Sequence, residues 1–152
     1  MTPEERLTVQ GLALPTPPAP VANYVRAVRT GNLVFLSGHG PDRENGPKWK
    51  GKVGRELDLD QARSAAQSAM LNLLASLKTE IGELSRVRRV VKLLGMVNCM
   101  PDFGAQPQVI NGASDLLVDL FGDRGRHARS AVGMAALPNN IPVEIEMIVE
   151  VE

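Results

Sequence analysis

Residues 126–152 decide the fold; their sequence is RHARSAVGMAALPNNIPVEIEMIVEVE. The last part of this stretch alternates between apolar and acidic residues, and a period of two is typical of a β-strand with one buried face. The apolar positions are Val143, Ile145, Met147, Val149 and Val151, and the acidic ones are Glu144, Glu146, Glu150 and Glu152. Turn residues at 137–142 separate this strand from an earlier one. The stretch therefore predicts two strands joined by a turn.

The earlier strand carries an arginine beside very small residues. Arg129 shares a face with Ala131 and Gly133, so space remains next to its guanidinium. A guanidinium binds a carboxylate through two parallel hydrogen bonds and stays charged in any site. Two interpretations remain open. Arg129 either grips a small anion, or pairs with a glutamate of the adjacent strand, such as Glu144 or Glu150.

The chain has the length of a single domain, preceded by a proline-rich segment. Four prolines at 15–20 forbid a helix there and predict an extended strap over residues 1–22. Residues 23–152 are long enough to enclose a hydrophobic core as one domain.

The order of the predicted elements is β-β-α-β-α-β-β. This order predicts a two-layer α+β domain with one mixed sheet and two helices on one face. Since two helices cover only one face, the other face is expected to support self-association. Before the two C-terminal strands, the predicted elements are strands at 24–29 and 33–37, a helix between Asp58 and Gly82, a strand at 87–98, and a helix from Gln106 to Gly122.

Composition restricts the classes of function. Seventeen basic and seventeen acidic residues give zero net charge, which argues against a nucleic-acid partner. One cysteine, Cys99, excludes an internal disulfide, and two histidines without nearby ligand spacing argue against a metal site. No apolar run is long enough to span a membrane, and no export signal is visible. We therefore expect a cytoplasmic protein.

Several short motifs resemble a known family. Residues 37–41, Ser-Gly-His-Gly-Pro, resemble the S-G-Q-x-P element of the Rid family (reactive intermediate deaminases), also called YjgF-like or endoribonuclease L-PSP-like proteins. Residues 128–130, 137–138 and 143–146 resemble its A-R-S, L-P and V-E-I-E elements. The resemblance extends from Tyr24 to the C-terminus and is to a divergent branch of the family.

The resemblance implies a chorismate-mutase-like homotrimer with a ligand cleft between neighbouring subunits. Arg129 would hold the carboxylate of a small molecule, and Glu144 would hold the water that hydrolyses an imine. No cofactor would be needed to convert a 2-imino acid or enamine into a 2-keto acid and ammonia. The other ligand-binding positions that it implies are Tyr24, Ser37, Gly38, His39 and Asn111. Two alternatives remain: a carboxylate- or metabolite-binding module without catalysis, and an endoribonuclease or translation inhibitor.

Six positions depart from the family pattern. The pattern G-P-Y-S/V-Q has Ala22, Asn23 and Arg26 here in place of its glycine, proline and glutamine, and the glutamine of S-G-Q is His39. Ala131 stands where the family often has cysteine, and His127 replaces the proline before A-R-S. These changes alter the rim of the implied cleft while its arginine and glutamate remain. They affect the identity of the ligand more than the binding of its carboxylate.

Overall fold

The computed structural model describes residues 1–20 and 22–152, so Val21, inside the predicted strap, lies outside the described residues. One five-stranded sheet, in the order β1-β2-β5-β3-β4, carries the two long helices on one face. This arrangement confirms the predicted α+β fold. The elements are α1 (Pro3–Val9), β1 (Ala27–Thr30), β2 (Leu33–His39), α2 (Leu59–Ile81), β3 (Val87–Asn98), α3 (Gln106–Phe121), β4 (Ala128–Met134) and β5 (Val143–Val151).

The long helix α2 begins and ends where its sequence signals predict. The Asp58 carboxylate accepts from the Gln61 backbone N–H, and the Gln61 side chain accepts in turn from the Asp58 N–H. Gly82 ends the helix with a φ of 91°, which only glycine adopts readily. Among residues 1–20 and 22–152, no helix combines the length and the apolar character needed to cross a membrane.

Strand β5 lies at the centre of the sheet, antiparallel to both β2 and β3. Its five predicted inward positions are all buried. The adjacency of β4 and β5 that the ion-pair interpretation of Arg129 required does not occur, because β4 pairs only with β3 among the described strands, and in parallel. A parallel pair needs a crossover connection, and α3 supplies it by returning the chain to the starting end of the sheet.

The N-terminal segment contains a short helix that the strap prediction missed. Thr2 caps α1 through a reciprocal pair of hydrogen bonds with Glu5, and Pro3 occupies the first helical turn. The Arg6 Nη1 group donates to the Asp119 carbonyl at 3.2 Å, which attaches α1 to α3. The prediction of an extended segment is therefore wrong for Pro3–Val9, while residues 12–20 form neither helix nor strand.

The sheet face opposite the helices presents apolar side chains to solvent. Val28 is 54% exposed, Phe35 41% and Val132 39%. The strand register pairs Val28 with Phe35 and Phe35 with Ile148. The side chains of Val28, Phe35 and Ile148 therefore adjoin one another across β1, β2 and β5. No helix of the described chain covers this face.

Candidate functional site

Arg129 is held by two residues of α3. Its Nη1 group donates to Asn111 Oδ1 at 2.8 Å and to Ser114 Oγ at 3.1 Å. Arg129 lies opposite the buried Leu93 of β3, so its side chain is on the helix side of the sheet. Within residues 1–20 and 22–152 it makes no ion pair. The alternative that Arg129 pairs with Glu144 or Glu150 is therefore wrong, because β3 separates β4 from β5.

His127 continues this hydrogen-bond network. Its Nδ1 lies 2.7 Å from the Gly125 carbonyl, which can only accept, so Nδ1 carries the proton. Nε2 then accepts from the Ser114 hydroxyl at 2.9 Å, and the same hydroxyl oxygen accepts from Arg129. Burial lowers the pKa of His127, and the Arg129 charge lowers it further against the opposing effect of the Gly125 hydrogen bond. A neutral His127 thus orients the Ser114 hydroxyl so that its oxygen accepts the hydrogen bond from Arg129.

Sequence reasoning identified Asn111 but missed Ser114 and the role of His127. Asn111 and Ser114 are three residues apart on a helix, so their side chains share a face. That spacing, on the helix that directly precedes β4 in the chain, is the signal that could have identified Ser114 as a second acceptor for Arg129.

Gly133 and Ala135, but not Ala131 or Arg129, line a cavity near the end of β4. A Cβ at Gly133 would lie 3.0 Å from both Cys99 Sγ and Gln106 Nε2, so these side chains occupy part of the predicted space. The remaining cavity, of about 530 Å³, also contacts Phe103 and Met134. Cys99 is buried.

Tyr24, Gly38 and Glu144 meet at a second cavity of about 480 Å³. A Cβ at Gly38 would lie 3.0 Å from Glu144 Cδ and 3.2 Å from Glu144 Cγ, and closer still to Oε2. Only glycine therefore leaves room for the Glu144 carboxylate at its present position. This contact explains in physical terms why the chain has glycine after Ser37.

Glu144 is half-buried beside another carboxylate. Burial raises the pKa of Glu144, and the charge of Glu146, two residues along the same strand, raises it further. A carboxyl group with a raised pKa exchanges protons with a nearby water more readily at neutral pH than an ordinary glutamate does. Glu144 can thus act as a general base or acid toward a molecule in this cavity.

The side chains of Ser37 and His39 are engaged inside the protein. Ser37 Oγ donates to the Val25 carbonyl at 2.6 Å. His39 is 5% exposed; its Nδ1 donates to the Ser37 carbonyl at 2.6 Å and its Nε2 accepts from Ser76 Oγ at 2.8 Å. Burial lowers the pKa of His39, and the Arg26 charge adds to this, while the Ser37 hydrogen bond opposes it. Ligand contacts by Ser37 and His39 stay a prediction. The described residues contain no group of three His, Cys, Asp or Glu side chains that could hold a metal ion.

The two groups of site residues lie on opposite faces of the sheet. Arg129 faces the helices, whereas Glu144 alternates with the buried Val143 and Ile145 and faces the other way. Two strand spacings and three residues of register separate Arg129 from Glu144, or about 14 Å between Cα atoms. One subunit alone therefore does not bring the two side chains onto one small ligand.

The chain is similar to known proteins in sequence and in structure. Protein TCP17 of Trypanosoma cruzi is 41% identical over 141 residues, which cover 92% of this chain and 88% of the relative. The 2-iminobutanoate/2-iminopropanoate deaminase of Dermatophagoides farinae is 32% identical over 146 residues, or 93% of this chain and 95% of the relative. The crystal structure of Atu1372 from Agrobacterium tumefaciens superposes with a TM-score of 0.91 at 44% identity, covering 99% of this chain and 92% of that one. The family described as "YjgF/chorismate_mutase-like, putative endoribonuclease" matches residues 4–151. The chain therefore belongs to the YjgF/chorismate mutase-like family.

Proposed function

We propose that this protein hydrolyses 2-imino acids, or their enamine tautomers, to 2-keto acids and ammonia. The observation that carries the proposal is the Arg129 guanidinium, which is fixed by Asn111 and Ser114 and has no carboxylate partner among the described residues. A guanidinium held in this way is ready to receive the carboxylate of a ligand through its planar fork. The deaminase of Dermatophagoides farinae, at 32% identity, supports the same class of reaction.

The chemistry requires orientation of the substrate and a proton acceptor. The substrate carboxylate binds Arg129, and a water hydrogen-bonded to Glu144 attacks the imine carbon. The new C–O bond forms as the C=N π electrons move to nitrogen, and Glu144 transfers a proton from the water to that nitrogen. In the resulting carbinolamine Glu144 transfers the hydroxyl proton to the nitrogen, and collapse then forms the C=O bond, breaks the C–N bond and releases ammonia. Because the imine is already electrophilic, holding it beside the water provides most of the acceleration.

The proposal includes a homotrimer whose clefts join two subunits. Arg129 and Glu144 face opposite sides of one sheet, so a ligand that contacts both needs Arg129 of one subunit and Glu144 of the next. The exposed Val28, Phe35 and Val132 offer an apolar face for this association. A cytoplasmic location remains part of the proposal.

A coupled assay tests the reaction. An amino-acid oxidase generates the imine in place, and loss of the imine is followed with wild type, Arg129→Ala and Arg126→Ala. Arg126 is a matched control because it lies three residues away and its side chain is 73% exposed. We expect wild type and the control to accelerate hydrolysis equally and Arg129→Ala to lose this activity. Equal inactivity of wild type and Arg129→Ala across several imino acids would refute the proposal.

Binding measurements separate catalysis from simple recognition. A ligand that binds only the native state raises its melting temperature, so a millimolar 2-keto acid should stabilise wild type. Arg129→Lys keeps the charge but loses the fork, and we expect binding to weaken by about 1–3 kcal/mol. Binding without turnover would instead favour a carboxylate-binding module, an alternative supported by Ala131 at a position where the family often has cysteine.

An RNA-cleaving role has less support. Zero net charge, with three Phe, one Tyr and one Trp, offers little surface for holding single-stranded RNA. RNA cleavage that co-purifies with the protein and disappears in Arg129→Ala would favour that role.

A further inference from the structure

The cavity next to Glu144 contains a second arginine. Arg26 and Tyr24 enter it from the segment leading into β1, and Gly38 and Glu144 form another part of its wall. The extended residues 18–20 close one side of the cavity. A molecule that contacts Glu144 here is therefore also within the space that Arg26 lines.

The charge of Arg26 is not balanced by a neighbouring carboxylate. Two cations and two carboxylates line the cavity, and Lys50 pairs with Asp42 at 3.4 Å. Arg26 makes no ion pair with any described residue, and it uses one Nη1 group to donate to the Pro18 carbonyl at 3.1 Å. A guanidinium has five N–H donors, so most of its hydrogen-bonding capacity is left for a ligand.

The electrostatics of Glu144 agree with this picture. The pKa of Glu144 is raised by burial and by Glu146, and no neighbouring cation acts in the opposite direction. Arg26 therefore does not neutralise the carboxylate that shares its cavity. Both remain available, one as a proton acceptor and the other as an anion-binding group.

We propose that Arg26 binds a second anionic group of the substrate, so that the preferred substrates are 2-imino acids with an acidic side chain. This inference rests on the proposed function and names its substrate class. Arg129 of one subunit would hold the carboxylate next to the imine, and Arg26 of the neighbouring subunit would hold the side-chain carboxylate. In the motif that this part of the sequence resembles, the corresponding position is a neutral glutamine, whereas this chain has Arg26.

A purely structural role for Arg26 makes a different prediction. If Arg26 only anchors the proline-rich segment through the Pro18 carbonyl, its replacement would loosen the cavity wall and affect all substrates alike. If it binds the side-chain carboxylate, its replacement would affect acidic substrates alone. The ratio of activities toward acidic and neutral substrates separates the two roles.

The experiment compares wild type, Arg26→Gln and Arg29→Gln. Gln is the family residue and retains one donor for the Pro18 carbonyl. Arg29 is a control three residues further along the chain, within β1, and its side chain donates to backbone carbonyls away from the cavity. Imines are generated in place from aspartate or glutamate, and from leucine or methionine, by oxidases of matching specificity. We expect Arg26→Gln to lose about tenfold or more in kcat/KM for the acidic imines, because a charged hydrogen bond is removed. Its activity toward the neutral imines should stay within about twofold, as should both activities of the control.

The outcomes distinguish this inference from the proposed function. If wild type hydrolyses neutral imines but shows no preference for acidic ones, or if Arg26→Gln affects both equally, the inference is overturned and the proposed function stands. If wild type hydrolyses no imine, the proposed function fails, and calorimetry with 2-oxoglutarate and 2-oxobutanoate decides the inference. Tighter binding of 2-oxoglutarate that is lost in Arg26→Gln supports it, and equal binding of the two anions overturns it.

Discussion

The substitution Gly38→Ala is expected to disable the site while leaving the fold intact. Gly38 does not have a positive φ, so alanine fits its backbone. The added Cβ would lie 3.0 Å from Glu144 Cδ and 3.2 Å from Cγ, whereas carbon atoms in contact are normally about 3.5–4.0 Å apart. The Glu144 carboxylate must therefore move by about 1 Å. A misplacement of about 1 Å can reduce the rate about a hundredfold, which corresponds to about 2.7 kcal/mol in the activation barrier.

The assay measures kcat/KM for a neutral 2-imino acid and the free energy of unfolding in urea. We expect the rate loss without a stability change above about 0.5 kcal/mol, because the displaced group is the end of a flexible side chain. Gly104→Ala is the control, since a Cβ there meets no atom within 4 Å. Wild-type activity in Gly38→Ala would refute the reasoning that the position of Glu144 matters. A stability loss of several kcal/mol would refute the local nature of the effect.

Three further predictions concern stability and assembly. In Gly112→Ala, the new Cβ would lie 2.9 Å from the Arg63 carbonyl carbon of α2. We expect urea denaturation to show a net loss of about 1–2 kcal/mol, because overpacking against backbone atoms costs about 2–3 kcal/mol and helix propensity returns about 1. Unchanged stability would contradict this contact. Phe35→Lys should dissociate the proposed homotrimer in light scattering with unchanged circular dichroism, and a mass equal to that of wild type would argue against the apolar face as the interface. The lowered pKa values of His39 and His127 mean that the native state binds fewer protons than the unfolded state just below pH 6.5. The free energy of unfolding should therefore fall as the pH decreases below about 6.5. In His39→Gln the free energy of unfolding should change less steeply with pH. A slope identical to that of wild type would show that His39 does not contribute.

Local signals in the sequence predicted the elements, but not the order of the strands. The alternation of residues 143–151 identified β5, and Asp58 and Gly82 marked the ends of α2. The position of β5 between β2 and β3 depends on long-range pairing, which leaves no local pattern. The helix α1 has a sequence signal for its first residue, because Thr2 and Glu5 form a capping box. The prolines at 15–20 led instead to the prediction of an extended segment over all of residues 1–22.

In the candidate site, too, the residues could be named from local motifs, whereas contacts that depend on the folded chain could not. The motif resemblance named Asn111 as a ligand-binding position; the structure places it in contact with Arg129, and its contact with a ligand stays a prediction. The same resemblance named Tyr24, Gly38 and Glu144, which share a cavity. The orientation of His127 was not predictable, because it depends on a carbonyl and a hydroxyl brought together by the 3₁₀ turn at Gly122–Gly125 and by α3.

The placement of Arg129 and Glu144 on opposite faces means that two inactive forms of this protein should rescue one another. Arg129→Ala supplies an intact Glu144, and Glu144→Gln supplies an intact Arg129. In an equal mixture that reassembles at random into closed rings, about one cleft in four would join the two intact residues, so about a quarter of wild-type activity should return. A cell expressing both alleles would then show intragenic complementation. A site built within a single subunit would leave the mixture as inactive as either component.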